Sequence, residues 1–324
     1  MKSYLFVTVA IVAFTGAVSI ALRGSRASYQ SPAIHLPPGC SMLPENNVWN
    51  ARIDHLPLDA MSRAYVESIG RDAPLHPDFG REYGYPYGVA LNDAPETAVT
   101  FTTYAAASDR GPYRIALDAP IEVEGDRHVL VIDPAKCRLY ELFGARRGFL
   151  GGRPNAGAWT AESGVSIDLR SNALRHDDWT SADASGMAML PGLVRYQEVD
   201  GGVIRHALRF TARRTRAAHV WPARHDASRL RESSLPPMGQ RFRLRASFDL
   251  SGFSRESRVI LTALQQYGMF LADNGGAWYL SGAVDSRWRP AVDAELKLVK
   301  GSDFEAIDSS SLMKDPDSGE ILRR

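Results

Sequence analysis

Cysteine is nearly absent from this 324-residue chain: there are two, Cys40 and Cys137, and no CxxC pair. That scarcity excludes a cysteine-ligated structural zinc and a thioredoxin-type motif. Neither cysteine stands beside a histidine, which argues against a reactive thiol. In an oxidising compartment an even pair most simply forms one disulfide, here closing a long loop and restricting the unfolded chain by roughly a few kcal/mol. No GxSxG occurs, and Ser163-Gly164 and Ser185-Gly186 lack the nucleophile elbow of a serine hydrolase. Charge of one sign is not in excess either. The formal net charge is +1, and losing Lys2, Arg23 and Arg26 with an N-terminal leader brings it to −2. Near-neutrality argues against nucleic acid as the main partner. Arginine is uneven all the same, gathered in Ala212–His225 (ARRTRAAHVWPARH) and Gly239–Ser247 (GQRFRLRAS). Such runs read as a solvated strand face or as a lining for an anionic ligand.

Only one long apolar run is present, Tyr4 to Leu22, behind the basic Lys2 and ahead of Ser25-Arg26-Ala27. A positive start, an apolar stretch and small residues at the cleavage positions describe a signal peptide over residues 1–27. The run is also just long enough to span a bilayer, so an uncleaved N-terminal anchor is the alternative. Either way the rest is exported, to the periplasm or outside the cell, and a membrane is a partner only through that anchor. Residues 28–324 carry no low-complexity linker and are read as one domain.

Within that domain the densest chemistry lies in Ser163–Ser228, with Asp168, Asp183, His206, His219, His225, Trp179 and Trp221 among many arginines. In Gly202–Thr211, period-two alternation puts His206 on one face with Ile204, Leu208 and Phe210, and Arg205 and Arg209 on the other. His206 is then either a core histidine with buried partners or a cleft residue tuned for proton transfer. Strand patterns recur at Thr97–Tyr104, Tyr113–Ala116, His128–Ile132, Arg138–Phe143, Val165–Leu169, Leu193–Tyr196, Val203–Thr211, Ala218–Trp221 and Arg241–Phe248. Asp126 and His128 open one of them, two residues apart. Met269–Asp273 and Ala277–Ser281 flank Asn274-Gly275-Gly276 and suggest a hairpin.

Helical periodicity appears at Asp59–Ile69 and at Arg255–Tyr267, the latter with Ser254 as N-cap and Gly268 as terminator. A last short helix is expected within Asp293–Val299. Leu75–Val89 is a loop of glycine, proline and aromatics whose Tyr83, Tyr85 and Tyr87 either stack on a sugar ring or pack the loop on the core. Many short strands and two or three decorating helices predict an all-β, single-domain β-sandwich, jelly-roll-like.

Several segments together, among them CSMLPENNVWNARIDHLPLD, GDRHVLVIDPAKCRLYELF, PPMGQRFRLRASFDLSGFS and YGMFLADNGGAWYLSGA, resemble a large uncharacterised family of secreted microbial proteins. The resemblance covers nearly the whole chain after the leader. It implies export and one compact unit, and it carries no catalytic residue across.

Function therefore rests on the side chains. A polysaccharide hydrolase needs two carboxyl groups flanking the scissile bond. Asp183 in WTSADASG, Asp273 beside Asn274 and two glycines, and Asp168 in an apolar strand are the candidates, with Trp179, Trp221 and Trp278 as stacking surfaces. For each aspartate alone, capping a turn or balancing an arginine is the plainer role. A lyase on a uronate-containing glycan would instead use His206 or His225 as base and Tyr196 or Tyr279 as acid. Arg195, Arg209 or Asn274 would then hold the carboxylate. A non-catalytic carbohydrate-binding or envelope protein would use the same aromatics. No cofactor is expected and no metal site, since His206, His219 and His225 match no compact ligand spacing. The hydrolase is the leading expectation, with Asp183, His206, His225 and Asp273 lining one concave surface and at least one tryptophan nearby.

Overall fold

The computed structural model describes residues 29–123, 125–150 and 153–322, so the expected leader, residues 1–27, lies outside the described residues. Among the described residues there are thirteen strands and four α-helices. The strands are β1 (His76–Asp78), β2 (Tyr87–Val89), β3 (Ala98–Phe101), β4 (Val129–Asp133), β5 (Arg138–Phe143), β6 (Arg146–Leu150), β7 (Arg153–Ala161), β8 (Ser163–Asp168), β9 (Leu208–Ala212), β10 (Arg241–Leu244), β11 (Met269–Asn274), β12 (Tyr279–Ser281) and β13 (Phe304–Ala306). The helices are α1 (Ser62–Ile69), α2 (Tyr196–Asp200), α3 (Arg255–Gln266) and α4 (Pro290–Leu296). A sheet-rich, mostly-β fold is what the strand patterns anticipated.

The strands form three sheets: a six-stranded one in the order β1-β12-β9-β11-β10-β13, a four-stranded one, β2-β4-β5-β8, and a three-stranded one, β3-β7-β6. Each contains a parallel pair, namely β1 with β12, β9 with β11, β2 with β4 and β3 with β7. An antiparallel jelly roll has none. The expected hairpin around Asn274-Gly275-Gly276 is not formed. β9 inserts between β11 and β12, parallel to the first and antiparallel to the second. Parallel neighbours require a long crossover, and the chain between β9 and β11 supplies it, carrying β10 and α3.

Alternation explains how β9 is used. Leu208, Phe210 and Ala212 face one side, where Phe210 stacks on Trp278 at 5.4 Å between centroids and meets Phe242 edge-on at 5.3 Å. Trp278 also stacks on Phe304 at 5.1 Å. Burying side chains of this size contributes about 2–3 kcal/mol each. The apolar stripe of α3 packs on this sheet through β10. Gly268 ends that helix at φ 66°, where a Cβ would stand 2.1 Å from the Phe242 carbonyl oxygen. Ser254 sits at the N-cap position without capping by its side chain, because its hydroxyl donates to Glu295 of α4 at 2.7 Å.

Three expected strands are not strands. Leu193–Tyr196 leads into α2, while Tyr113–Ala116 and Ala218–Trp221 supply single bridges, Thr97 to Tyr113 and His219 to Met238. The two cysteines are joined. Cys40 and Cys137 have Cα atoms 5.7 Å apart and close a loop with a sequence separation of 97. The bond ties the N-terminal extended segment to the β4–β5 turn.

Candidate functional site

One face of the six-stranded sheet carries polar side chains in a row. Residues paired across strands share a face. His76 of β1 pairs with Tyr279 of β12, Tyr279 with Thr211 of β9, and Thr211 with Asp273 of β11. Two residues along, Asp78 pairs with Ser281, beside Arg209 on β9. Proline at position 77 is tolerated because β1 is the edge of the sheet.

Asp273 joins this face through a β-bulge. The β9–β11 register runs Leu271 to Phe210 and then Asp273 to Thr211, leaving Ala272 as the extra residue. Without that insertion Asp273 would follow Leu271 onto the aromatic side. Bulges re-aim side chains in this way.

The row forms part of the wall of a cleft of ≈ 810 Å³. Asp78, Tyr279, Thr211, Asp273 and Asn274 come from the sheet, Arg81, Glu82, Tyr83 and Tyr85 from the loop after β1, and Glu122 and Asp126 from the loop before β4. Gly275 and Gly276 also line it, and a Cβ on Gly276 would collide with the Tyr279 ring. His76 stacks on Tyr279 at 4.0 Å.

Beneath the cleft lies a buried ionic network. Arg209, fully buried, holds Asp183 with Nε to Oδ2 at 2.6 Å and Nη2 to Oδ1 at 3.1 Å. Its Nη1 donates to Ser281 Oγ at 2.6 Å and to the Tyr85 hydroxyl at 3.4 Å. Its Nη2 also reaches Asp273 Oδ2 at 3.4 Å. Burial, and then the negative charge of Asp183, push the Asp273 carboxyl up to about 6 against the pull of Arg209 and of the Asn274 N–H. Burial likewise raises Asp78, with Arg209 opposing. Glu122 accepts from His128, Nδ1 to Oε2 at 2.7 Å, while His128 Nε2 faces the Ala182 carbonyl at 3.1 Å. Both neighbours are acceptors, an arrangement that favours the doubly protonated ring. Burial alone would lower that histidine, but Glu122 holds it up.

Of the residues singled out from sequence, Asp273 and Asn274 line the cleft, and Asp183 and Arg209 lie directly behind it. Asn274 is committed, its Oδ1 accepting from Thr215 at 2.8 Å and its Nδ2 donating to Ala227 O at 3.0 Å. His225 binds the carbonyl of Ala184 through Nδ1 at 2.7 Å, next to Asp183 but outside the cleft lining. His206 is elsewhere. Its Nδ1–H donates to Ala207 O at 2.8 Å and its Nε2 meets Arg195 at 3.0 Å and Glu198 at 3.2 Å. These groups border a separate cleft of ≈ 440 Å³, in which burial would raise Glu198 but Arg195 and His206 hold it at about 2. His219 pairs with Asp177 at 3.1 Å, so the three imidazoles keep separate partners.

Asp168 ends β8 at the surface, paired with Arg170 at 3.1 Å and with Arg138 at 3.9 Å. None of the three candidate tryptophans lines the Asp273 cleft. Trp278 is core, its indole N–H donating to Gly70 O at 2.8 Å. Trp221 donates to Ser318 O at 2.8 Å, and Trp179 borders a third cleft near Arg110, Lys136 and Arg138. Among the described residues the Asp273 cleft is lined by tyrosines and no tryptophan. Of the three loop tyrosines, Tyr83 is exposed at the cleft, whereas Tyr85 packs into the core under the Arg209 guanidinium and Tyr87 is core and bonds Pro32 O.

Sequence reasoning passed over Asp78 and Glu122. Asp78 alternates with Pro77 in a three-residue strand too short to show periodicity. The pairing of His128 with Asp126 is replaced by one with Glu122, which reaches back across the turn. No protein-family model, curated protein or solved structure matches the chain.

Proposed function

We propose that this chain is an exported glycoside hydrolase working through paired carboxylates in the tyrosine-lined cleft, with Asp273 as proton donor and Asp78 as its partner. The observation that carries this is the place of Asp273: the β11 bulge turns its half-buried carboxyl into a cleft that Asp78 also lines, and burial raises both carboxyls. A general acid needs a proton near working pH, and a carboxyl raised into that range has one. Asp273 gives its proton to the glycosidic oxygen as the C–O bond breaks. Asp78 either takes a proton from the water that attacks the anomeric carbon or attacks that carbon itself before water releases the sugar. Tyr83 and Tyr279 offer faces for sugar rings.

Charge favours this over the lyase. A uronate entering the cleft meets Asp78, Glu82 and Asp126, while the proposed carboxylate clamps Arg195 and Arg209 are buried and already hydrogen-bonded. Export is supported by the disulfide, which persists in oxidising compartments. Among the described residues no helix is long and apolar enough to cross a membrane.

The test is product analysis on a panel of neutral, cationic and anionic polysaccharides. New reducing ends without ultraviolet absorbance are expected. Unsaturated, ultraviolet-absorbing products would establish the lyase, and binding without cleavage would leave the non-catalytic alternative.

A further inference from the structure

The charge of the cleft goes further than its reaction class. Three carboxylates that line it, Asp78, Glu82 and Asp126, have no basic group within 4 Å among the described residues. Asp273 has only a 3.4 Å share of Arg209, whose charge Asp183 already balances. Glu122 is matched by His128, and among the described residues Arg81 is the one basic residue in the lining. The excess is therefore negative, and it is spread around the opening rather than gathered at one point, because Glu82 and Asp126 are exposed on two different loops.

Two tyrosines line the same cleft, Tyr83 and Tyr279, the latter with His76 stacked on one face of its ring. Tyr83 is 41% exposed and Tyr279 half-buried. A carboxylate beside an aromatic face suits a cation better than a neutral hydroxyl, since the ring quadrupole and the charge both attract it. A neutral glycan needs no such excess, and an anionic one is repelled by it.

From these features, and building on the hydrolase reading above, we infer that the cleft takes a glycan bearing free, protonated amino groups. Glu82 and Asp126 would meet ammonium groups on sugars flanking the cleavage point, with Tyr83 and Tyr279 under the rings. Asp78 and Asp273 would be left to the chemistry. The inference is about the substrate and does not require cleavage.

Its test uses short oligomers of glucosamine and of galactosamine, each beside its fully N-acetylated form, which keeps the sugar and removes the charge. Binding is measured by calorimetry at low and high salt, and cleavage by new reducing ends. At least one free-amine oligomer should bind roughly tenfold or more tightly than its acetylated form at low salt. That preference should shrink as salt screens it. The double variant Glu82→Gln/Asp126→Asn should lose most of it, since two exposed pairs are together worth about tenfold. Both side chains are exposed, so thermal melting should stay unchanged and a folding defect is separable.

Equal or tighter binding of acetylated forms, no binding of any free-amine oligomer, or a preference indifferent to salt and to the double variant would each overturn the inference. The two readings fail separately. Amine-dependent binding without new reducing ends ends the hydrolase and keeps the amino-glycan. Cleavage of neutral or acetylated oligomers, with no amine preference, does the reverse.

Discussion

Asp273, Asp183 and Arg209 divide one task among three side chains. Asp183 and Arg209 neutralise each other out of reach of solvent, and Asp273 faces the cleft as the carboxyl left over. On the proposed reading Asp183 is a positioning residue. Replacing it as Asp183→Asn frees Arg209 to turn its charge onto Asp273. We expect the alkaline limb of kcat/KM to move to lower pH and stability to fall by about 3 kcal/mol, as when a buried pair loses a partner. A pH profile and a melting curve check both, and an unmoved limb contradicts the role. Asp273 also sets a pH dependence of stability. Its carboxyl is raised in the folded chain from an ordinary 3.8 to about 6, so the native state keeps the proton to higher pH than the unfolded state does. Its contribution is present below pH about 4 and lost as pH rises through about 6. Chemical denaturation across that window should show the loss in the wild type and a flatter dependence in Asp273→Asn.

The elements that hold these residues depend on details of spacing. The β11 bulge at Ala272 turns Asp273 to the polar face, and Gly276 lets Tyr279 lie against the turn. In Gly276→Ala the new Cβ displaces the tyrosine ring, at a cost of about 1–3 kcal/mol. KM should rise several-fold with a smaller change in kcat, and steady-state kinetics on the glycan found by product analysis decide it. β10 is held differently. Arg241 is fully buried and donates to the carbonyls of Val48, Ala51 and Tyr267. Arg241→Met strands those carbonyls and should lower Tm by several degrees while leaving KM alone. The arginine runs were legible as a pattern but not as a place. Alternation put Arg209 on a polar face as a candidate carboxylate clamp and Arg241 in a run that suggested solvent or an anionic ligand, yet both are covered by packing from other parts of the chain.

At the scale of the whole molecule, local pattern was readable and long-range pairing was not. Met269–Asp273 and the α3 stripe follow from their own periodicity, but nothing local says that β9 will separate β11 from β12. The cleft draws on residues 78, 81–85, 122, 126, 211, 273–276 and 279, so its carboxylates could not be paired from the sequence. Asp273 was visible beside its glycines, while Asp78 was hidden in a three-residue strand. The disulfide acts at this scale too. Its loop is long enough that Cys40→Ser/Cys137→Ser should lose up to about 4 kcal/mol, read from denaturant midpoints, with KM unchanged. The central claim, that Asp273 supplies the proton in glycan cleavage, is tested most directly by comparing kcat of Asp273→Asn with the wild type on the glycan that the panel identifies. The account predicts a loss of about 10²–10⁴-fold with no loss of thermal stability at neutral pH. A variant that keeps its kcat within a few-fold would contradict it.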